Sequence, residues 1–414
     1  MNLAVVWGLG HVGWSAACHL AAAGVRVAGI DLDVEKVRCA RQRECPVPGL
    51  APWIRAAGVD PTPDIEVATS PDGLDVSWND AFHHVCVPTE REGLPSAASF
   101  DLIAARVSGL APRAILIVES TVAPTWIARA QARYPDLRFA AAPRRDWFDA
   151  PDKHLGVLPR VVGADDPAVL DRVVEHLGRI CRTLVPVRSC AEAALVKAVE
   201  NDLRFVTLCY ANELALRLGD RYDVRRLLEL AASKWNIDLY RPSIGVGGHC
   251  LPVAGAYLDD TGGSRPILSV RAAERNRAQI AAVADFLAPR GAVVFFGLGY
   301  KIGAPFNPQA PAVWLLDALR TRGTAVGVFA EDDVQAAAAV ERGAAVLPQD
   351  AFTWSSAVIP VATPVARRLS PAMLRGAALV LDNEAALERF PAEAWREAGI
   401  DYRVPGRAGW LESS

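Results

Sequence analysis

The segment Pro242-Ser243-Ile244-Gly245-Val246-Gly247-Gly248-His249-Cys250-Leu251-Pro252 sets a cysteine in a loop where three of four consecutive positions are glycine. Glycine backbone reaches positive φ and comes close to a bound ligand, which a thiol buried for packing does not require. Cys250 is therefore a candidate nucleophile. On this loop alone the plain alternative, an inert thiol in a core, stays open, because the chain carries seven other cysteines. Lys197 and Asn201 form a second constellation. They stand at i and i+4 in the stretch 191–217, which has neither Gly nor Pro, so they project from one helix face. An exposed polar strip would have the same spacing.

A third constellation opens the chain. Gly8-Leu9-Gly10-His11-Val12-Gly13 follows an apolar strand-like run, 2–7, and leads a helical pattern that Gly24 ends. A second strand, 25–30, closes on Asp31. In this context the first glycine makes the turn, the second lets a pyrophosphate approach the backbone, and the third packs the helix whose N-terminus faces the phosphates. Asp31 accepts from ribose hydroxyls and repels a 2′-phosphate, so the expected cofactor is NAD rather than NADP. A glycine turn in an empty α/β unit is the alternative.

The elements that must position these groups follow in order. Strands are expected at 83–87, ending in Pro88-Thr89, and at 114–118, ending in Glu119-Ser120-Thr121. Ligands in open parallel sheets sit beyond the carboxyl ends of strands, which makes Thr89 and Thr121 site candidates, with helix capping the competing explanation. The 191–217 helix carries apolar residues around much of its circumference, which predicts burial on several sides and a subunit interface. A helix over 270–287 leads to a second α/β unit. It has a strand at 292–296, the turn Gly297-Leu298-Gly299-Tyr300-Lys301, a helix at 312–322, a strand at 325–329, and strand-like runs at 344–347, 356–361 and 378–381. That second turn lacks the third glycine and Ala330 follows its next strand, so it is expected to bind something other than a second NAD.

Composition excludes several classes. A chain of 414 residues with 51% hydrophobic content and mean hydropathy of +0.17 predicts two or three well-buried domains. A formal charge of -3 gives no basic field for nucleic acid. The eight cysteines include no CxxC pair, so no metal site is expected, and reduced thiols fit a cytoplasmic protein. Apolar runs fall short of the roughly 18–20 residues needed to span a bilayer, and the chain opens on a strand, so no membrane partner or export is expected.

Together these residues resemble one family, the UDP-glucose/GDP-mannose dehydrogenases, NAD-dependent nucleotide-sugar 6-dehydrogenases. The likeness runs through GLGHVG with Asp31, VCVPT (85–89), ESTV (119–122), PRVVG (159–163), EAALVKAVEN (192–201), ANELAL (211–216), GVGGHCLPV (245–253) and GLGYK (297–301). It implies two Rossmann-like doubly wound parallel-sheet α/β domains joined by a central helical segment. The expected boundaries are 1–187 for NAD binding, 188–287 for dimerisation and the cysteine loop, and 288–414 for the nucleotide sugar. It also implies oxidation of a sugar CH2OH to a carboxylate with two NAD, through a cysteine thiohemiacetal and thioester. Cys250 would be the nucleophile, Lys197 and Asn201 would stabilise oxyanions, and Thr121 would position water or cofactor. Gly8, Gly10, His11, Val12, Gly13, Asp31, Lys36, Thr89 and Thr121 would hold NAD. Lys197, Asn201, Lys234, Gly247, Tyr300, Lys301 and Arg144 would meet the substrate, in a homodimer.

The chain departs from the family at several places. Ala254 stands where the family has an aspartate four residues after the nucleophile, and Arg144 where it has a glutamate in a Ser-Pro-Glu-Arg block. Asn307-Pro308-Gln309-Ala310-Pro311 replaces an Arg-x-Ser-Pro block, and Lys234 replaces an arginine. Loss of a general base typically costs about 100- to 10,000-fold in rate. A substrate with an additional acidic group to meet Arg144, a carboxylate recruited from Asp146, Asp149, Asp259 or Asp260, a two-electron product, and a catalytically weak nucleotide-binding paralogue all remain open.

Overall fold

The computed structural model describes residues 3–148, 150, 152–259, 266–299, 306–348 and 356–412. The chain forms two compact units, Met1–Glu200 with Val253–Arg265, and Asn201–Pro252 with Pro266–Ser414.

The first unit is an eight-stranded sheet. Its strands are β1 (Leu3–Trp7), β2 (Arg26–Ile30), β3 (Glu66–Ala68), β4 (Ala81–Val85), β5 (Ile115–Val118), β6 (Arg138–Ala141), β7 (Arg160–Gly163) and β8 (Leu184–Val187). They lie in the order β8-β7-β6-β5-β4-β1-β2-β3. The six strands from β3 to β6 run parallel, whereas β7 meets β6 antiparallel and β8 follows β7. All five residues of β1 are buried, because apolar layers cover both sheet faces: Trp14, Ala17 and Leu20 on one side, Phe100, Ala104 and Val107 on the other. The order reverses between β1 and β4, which opens a crevice at their carboxyl ends.

The second unit repeats this plan. Strands β9 (Val293–Phe296), β10 (Val326–Phe329), β11 (Ala345–Val346), β12 (Ala357–Pro360), β13 (Leu379–Leu381) and β14 (Asp401–Arg403) lie in the order β11-β10-β9-β12-β13-β14, all parallel. Helices Ile267–Leu287 and Pro311–Thr321 cover one face. The 29-residue helix Cys190–Leu218 supplies residues to both units. Most expected elements occur within two residues of their expected ends. The strand expected at 83–87 is Ala81–Val85, because Cys86, Val87 and Pro88 leave the ladder after Val85 pairs with Trp7.

Candidate active site

Three glycines do three separate jobs at the end of β1. Gly8 sits at φ +92°, and a Cβ there would lie 2.4 Å from the Cys86 carbonyl oxygen. A Cβ on Gly13 would lie 1.8 Å from the Gly8 carbonyl oxygen, so helix His11–Ala22 packs on the turn only with glycine at that position. At Gly10 nothing lies within 4 Å of a Cβ, so the backbone there faces open space. The helix has no side-chain cap and no acidic residue in its first turn, which leaves its leading N–H groups and positive end for an anion.

Asp31 binds the loop from the next strand. Its Oδ2 accepts from the Leu9 amide at 2.6 Å and its Oδ1 from the Asp33 amide at 2.9 Å, with Lys36 Nζ 3.5 Å from Oδ2. Each oxygen keeps a second lone pair for a ribose hydroxyl. Thr89 and Thr121 follow the carboxyl ends of β4 and β5. Tyr257 donates its hydroxyl to the Thr89 carbonyl at 2.7 Å, and Ser120 Oγ donates to the Val87 carbonyl at 2.7 Å. Thr121 is half-buried. An open cradle, an uncapped helix end and an anchored carboxylate fit NAD.

Beneath this crevice lies a buried charge cluster that spacing did not reveal. Glu119, fully enclosed, accepts from Arg144 at 3.1 Å, Arg160 at 2.9 Å and His84 Nδ1. Burial pushes its carboxyl up, but Arg160, His84 and Arg144 outweigh burial and hold it well below the usual range. His84 Nε2 and His176 Nε2 lie 2.9 Å apart, and burial lowers His176 to about 2, so that ring is neutral. Arg144 corrects an expectation. It is not a free cation awaiting a substrate acid: it is buried, and it pairs with Glu119 and with Asp146, whose Oδ2 lies 2.6 Å from Nε. Asp146 is committed to Arg144, so it is no spare carboxylate, and Asp149 and Asp260 lie outside the described residues.

In the second unit the loop before Cys250 is held by side-chain amides. Asn276, on helix Ile267–Leu287, accepts from the Val246 amide at 2.8 Å and donates to the Val246 carbonyl at 2.7 Å. Asn212 accepts from the Ser243 amide, Gln279 donates to the Ser243 carbonyl and Asn383 accepts from the Ile244 amide. The Gly248 amide reaches the Gln309 carbonyl at 3.0 Å, and a Cβ on Gly247 would lie 2.3 Å from that same oxygen. These contacts satisfy a buried, irregular backbone that no strand or helix could. The loop delivers Cys250 to the surface of its unit: of the eight cysteines it is the exposed one. Burial raises the thiols of Cys18, Cys86, Cys181, Cys190 and Cys209, the last two to about 12.

Other expected site residues are less constrained. Lys197 is half-buried and Asn201 buried on the long helix, and Lys234 is exposed. Tyr300 and Lys301 lie outside the described residues. The second glycine turn copies the first: Gly297 has φ +76°, and the Leu298 amide donates at 2.9 Å to Gln335, a neutral amide in the part Asp31 plays for Leu9. Among the described residues no helix is long and apolar enough to cross a membrane.

Residues 1–133 match the model of the UDP-glucose/GDP-mannose dehydrogenase family, NAD binding domain, and residues 191–274 that of the same family's central domain. The chain belongs to the UDP-glucose/GDP-mannose dehydrogenase family. It binds NAD through the first of these domains and is an oxidoreductase acting on CH-OH. Similar proteins include a UDP-N-acetyl-D-mannosamine dehydrogenase of Pyrococcus horikoshii, 27% identical over 77% of this chain and 81% of that protein. Another, of Methanococcus aeolicus, is 25% identical over 61% of this chain, which spans 59% of that relative's length. Among solved structures, the UDP-D-ManNAc dehydrogenase from P. horikoshii superposes with a TM-score of 0.77 at 21% identity, covering 98% of this chain and 99% of that one. A UDP-glucose dehydrogenase from Pyrobaculum islandicum gives 0.77 at 21% identity, covering 99% and 98%. At that identity the superpositions speak for the fold.

The sequence did not single out Tyr257, Asn276, Gln279 or Asn383, and Asn212 lay inside the block ANELAL. Arg160 and Glu119 lay inside quoted family blocks, PRVVG and ESTV, which was the available signal for the charge cluster.

Proposed function

We propose that this chain oxidises the C6 primary alcohol of a nucleotide-activated sugar to a carboxylate in two hydride-transfer steps, with Cys250 as the nucleophile. The observation that carries this reading is the contrast among the thiols: Cys250 is exposed at the end of a loop fixed by four side-chain amides, while five others are buried. Gly8, Gly10, His11, Val12, Gly13, Asp31, Lys36, Thr89 and Thr121 would hold NAD, which would supply the hydride acceptor, one NAD for each of the two hydrides. First the alcohol loses a hydride and a proton to give the aldehyde. The Cys250 thiolate then adds to the aldehyde carbon, the adduct loses a second hydride to give a thioester, and water releases the carboxylate and the thiol. Lys197 and Asn201 stabilise negative charge on the reacting oxygen, and Thr121 orients water or cofactor. Lys234, Gly247, Tyr300 and Lys301 meet the nucleotide sugar, Lys301 as a point charge for its diphosphate. The functional division follows 1–187, 188–287 and 288–414, and the enzyme works in the cytoplasm. Relatives named for UDP-N-acetyl-D-mannosamine and for an NDP-N-acetyl-D-galactosaminuronic acid make amino-sugar nucleotides the first substrates to offer.

Ala254 favours one alternative, a product oxidised only once. It is 1% exposed where the family has an acid, so it supplies no base for thioester hydrolysis. The stoichiometry of NADH formed per sugar consumed decides. The proposal expects two for the wild type and one, with free aldehyde, for Cys250→Ser. One NADH for the wild type, indifferent to Cys250→Ser, leaves Cys250 a structural remnant. None across a panel of UDP and GDP sugars leaves a nucleotide-binding paralogue.

A further inference from the structure

Four parts of the first unit meet on one guanidinium. Arg144 Nη1 donates to the Val12 carbonyl at 3.1 Å and to Glu119 at 3.1 Å, Nη2 donates to Ser15 Oγ at 3.1 Å, and Nε donates to Asp146 at 2.6 Å. Its own amide adds a bond to the Glu119 carbonyl at 3.2 Å. Val12 and Ser15 belong to the opening of helix His11–Ala22, whose uncapped N-terminus would receive the cofactor's pyrophosphate. Glu119 is the residue before Ser120 and Thr121 at the end of β5.

We propose that Arg144 is a positioning residue for NAD: it sets the spacing and tilt of the pyrophosphate-binding helix turn relative to the Ser120-Thr121 tip of the neighbouring strand. The guanidinium groups of Arg144 and Arg160 are matched by the carboxylates of Glu119 and Asp146, and all four side chains are buried, so neither cation is left over for a ligand. Its influence on the cofactor is therefore geometric. A planar fork with five fixed donors can hold four acceptors in different directions; an ammonium, a compact donor on a flexible stem, cannot reproduce that arrangement. Arg144 thus ties the helix turn of its own cofactor loop to the end of β5.

The test is equilibrium titration of NAD and of ADP-ribose, which needs no sugar, with the KM for whichever nucleotide sugar the NADH assay shows to be turned over as the comparison. Arg144→Gln is expected to weaken both ligands at least about tenfold, the size of losing one or two charge-assisted hydrogen bonds, while the KM for the nucleotide sugar stays within about twofold. Arg144→Lys keeps the charge but not the fork and is expected to resemble Arg144→Gln. If lysine restores wild-type affinity, the role is charge and the proposal fails. It fails equally if NAD affinity is unchanged, or if the sugar KM rises in step with the NAD Kd. Should both variants not fold, Ser15→Ala removes only one of the four contacts and leaves every charge in place. A rise of about two- to fivefold in the Kd for NAD supports the proposal, and an unchanged Kd overturns it.

Discussion

Asp31 anchors the glycine turn, and we propose that the same carboxylate selects NAD over NADP. Its bonds to the Leu9 and Asp33 amides shape the glycine turn before any ligand arrives, and the remaining lone pairs can accept from ribose hydroxyls. Lys36, 3.5 Å away, is kept neutralised by it. Replacing Asp31 with serine keeps a small acceptor, removes the repulsion of a 2′-phosphate and frees Lys36 to pair with one. NAD affinity is expected to fall by on the order of 10- to 100-fold, from loss of one charge-assisted bond at about 1.5–3 kcal/mol, while NADP affinity rises. Titration of both cofactors checks this. A variant that loses NAD and gains nothing with NADP would confine Asp31 to shaping the loop.

At the scale of elements, the cysteine loop depends on side chains far from it in sequence. Asn276→Leu preserves volume but leaves the Val246 amide and carbonyl without partners. Leaving buried polar groups unsatisfied costs about 1–3 kcal/mol each, so about 2–6 kcal/mol of stability is at stake. The urea midpoint is expected to fall, and alkylation at Cys250, located by peptide mapping, is expected to accelerate as the loop loosens. An unchanged alkylation rate would mean that the amides do not govern the thiol. The difference between what was legible and what was not follows from this geometry. The first α/β unit could be read because its glycines, strand and acid fall within 31 residues and each makes local contacts. Strands β3, β6, β7 and β8 are three or four residues long and carry no alternation that separates them from loop, so only their neighbours in the sheet define them. Asn212, Gln279 and Asn383 meet the loop across 31, 36 and 139 residues of chain, which no local pattern encodes. Arg144 read as an unpaired cation because Val12 and Ser15 precede it by 132 and 129 residues.

On the scale of the whole molecule, the long helix carries an apolar stripe that its own units leave uncovered. Val199, Leu203 and Tyr210 recur at i, i+4 and i+11, the spacing of one helix face, and are 43%, 64% and 58% exposed, while Val206 at i+7 is half-buried against the cluster of Phe205, Cys209, Val246 and Ala272. In the second unit Leu227 and Leu230 of helix Val224–Ala231 are also exposed, and Trp235 is 92% exposed. Single exposed apolar residues need no explanation, but a stripe recurring along one helix is the kind of surface that marks association. A second copy of this chain is the occupant we propose, since a two-fold pairing sets the same stripe against itself. A stable interface buries about 800 Å² per partner, so two glutamates in the stripe place charge where it would have to be desolvated. Sedimentation at micromolar concentration is expected to show a dimer for the wild type and a monomer for the variant with Leu203→Glu and Tyr210→Glu, with NAD affinity retained because the glycine turn belongs to the other unit. A wild type that sediments as a monomer with and without NAD would sink the pairing, and the stripe would then need another partner.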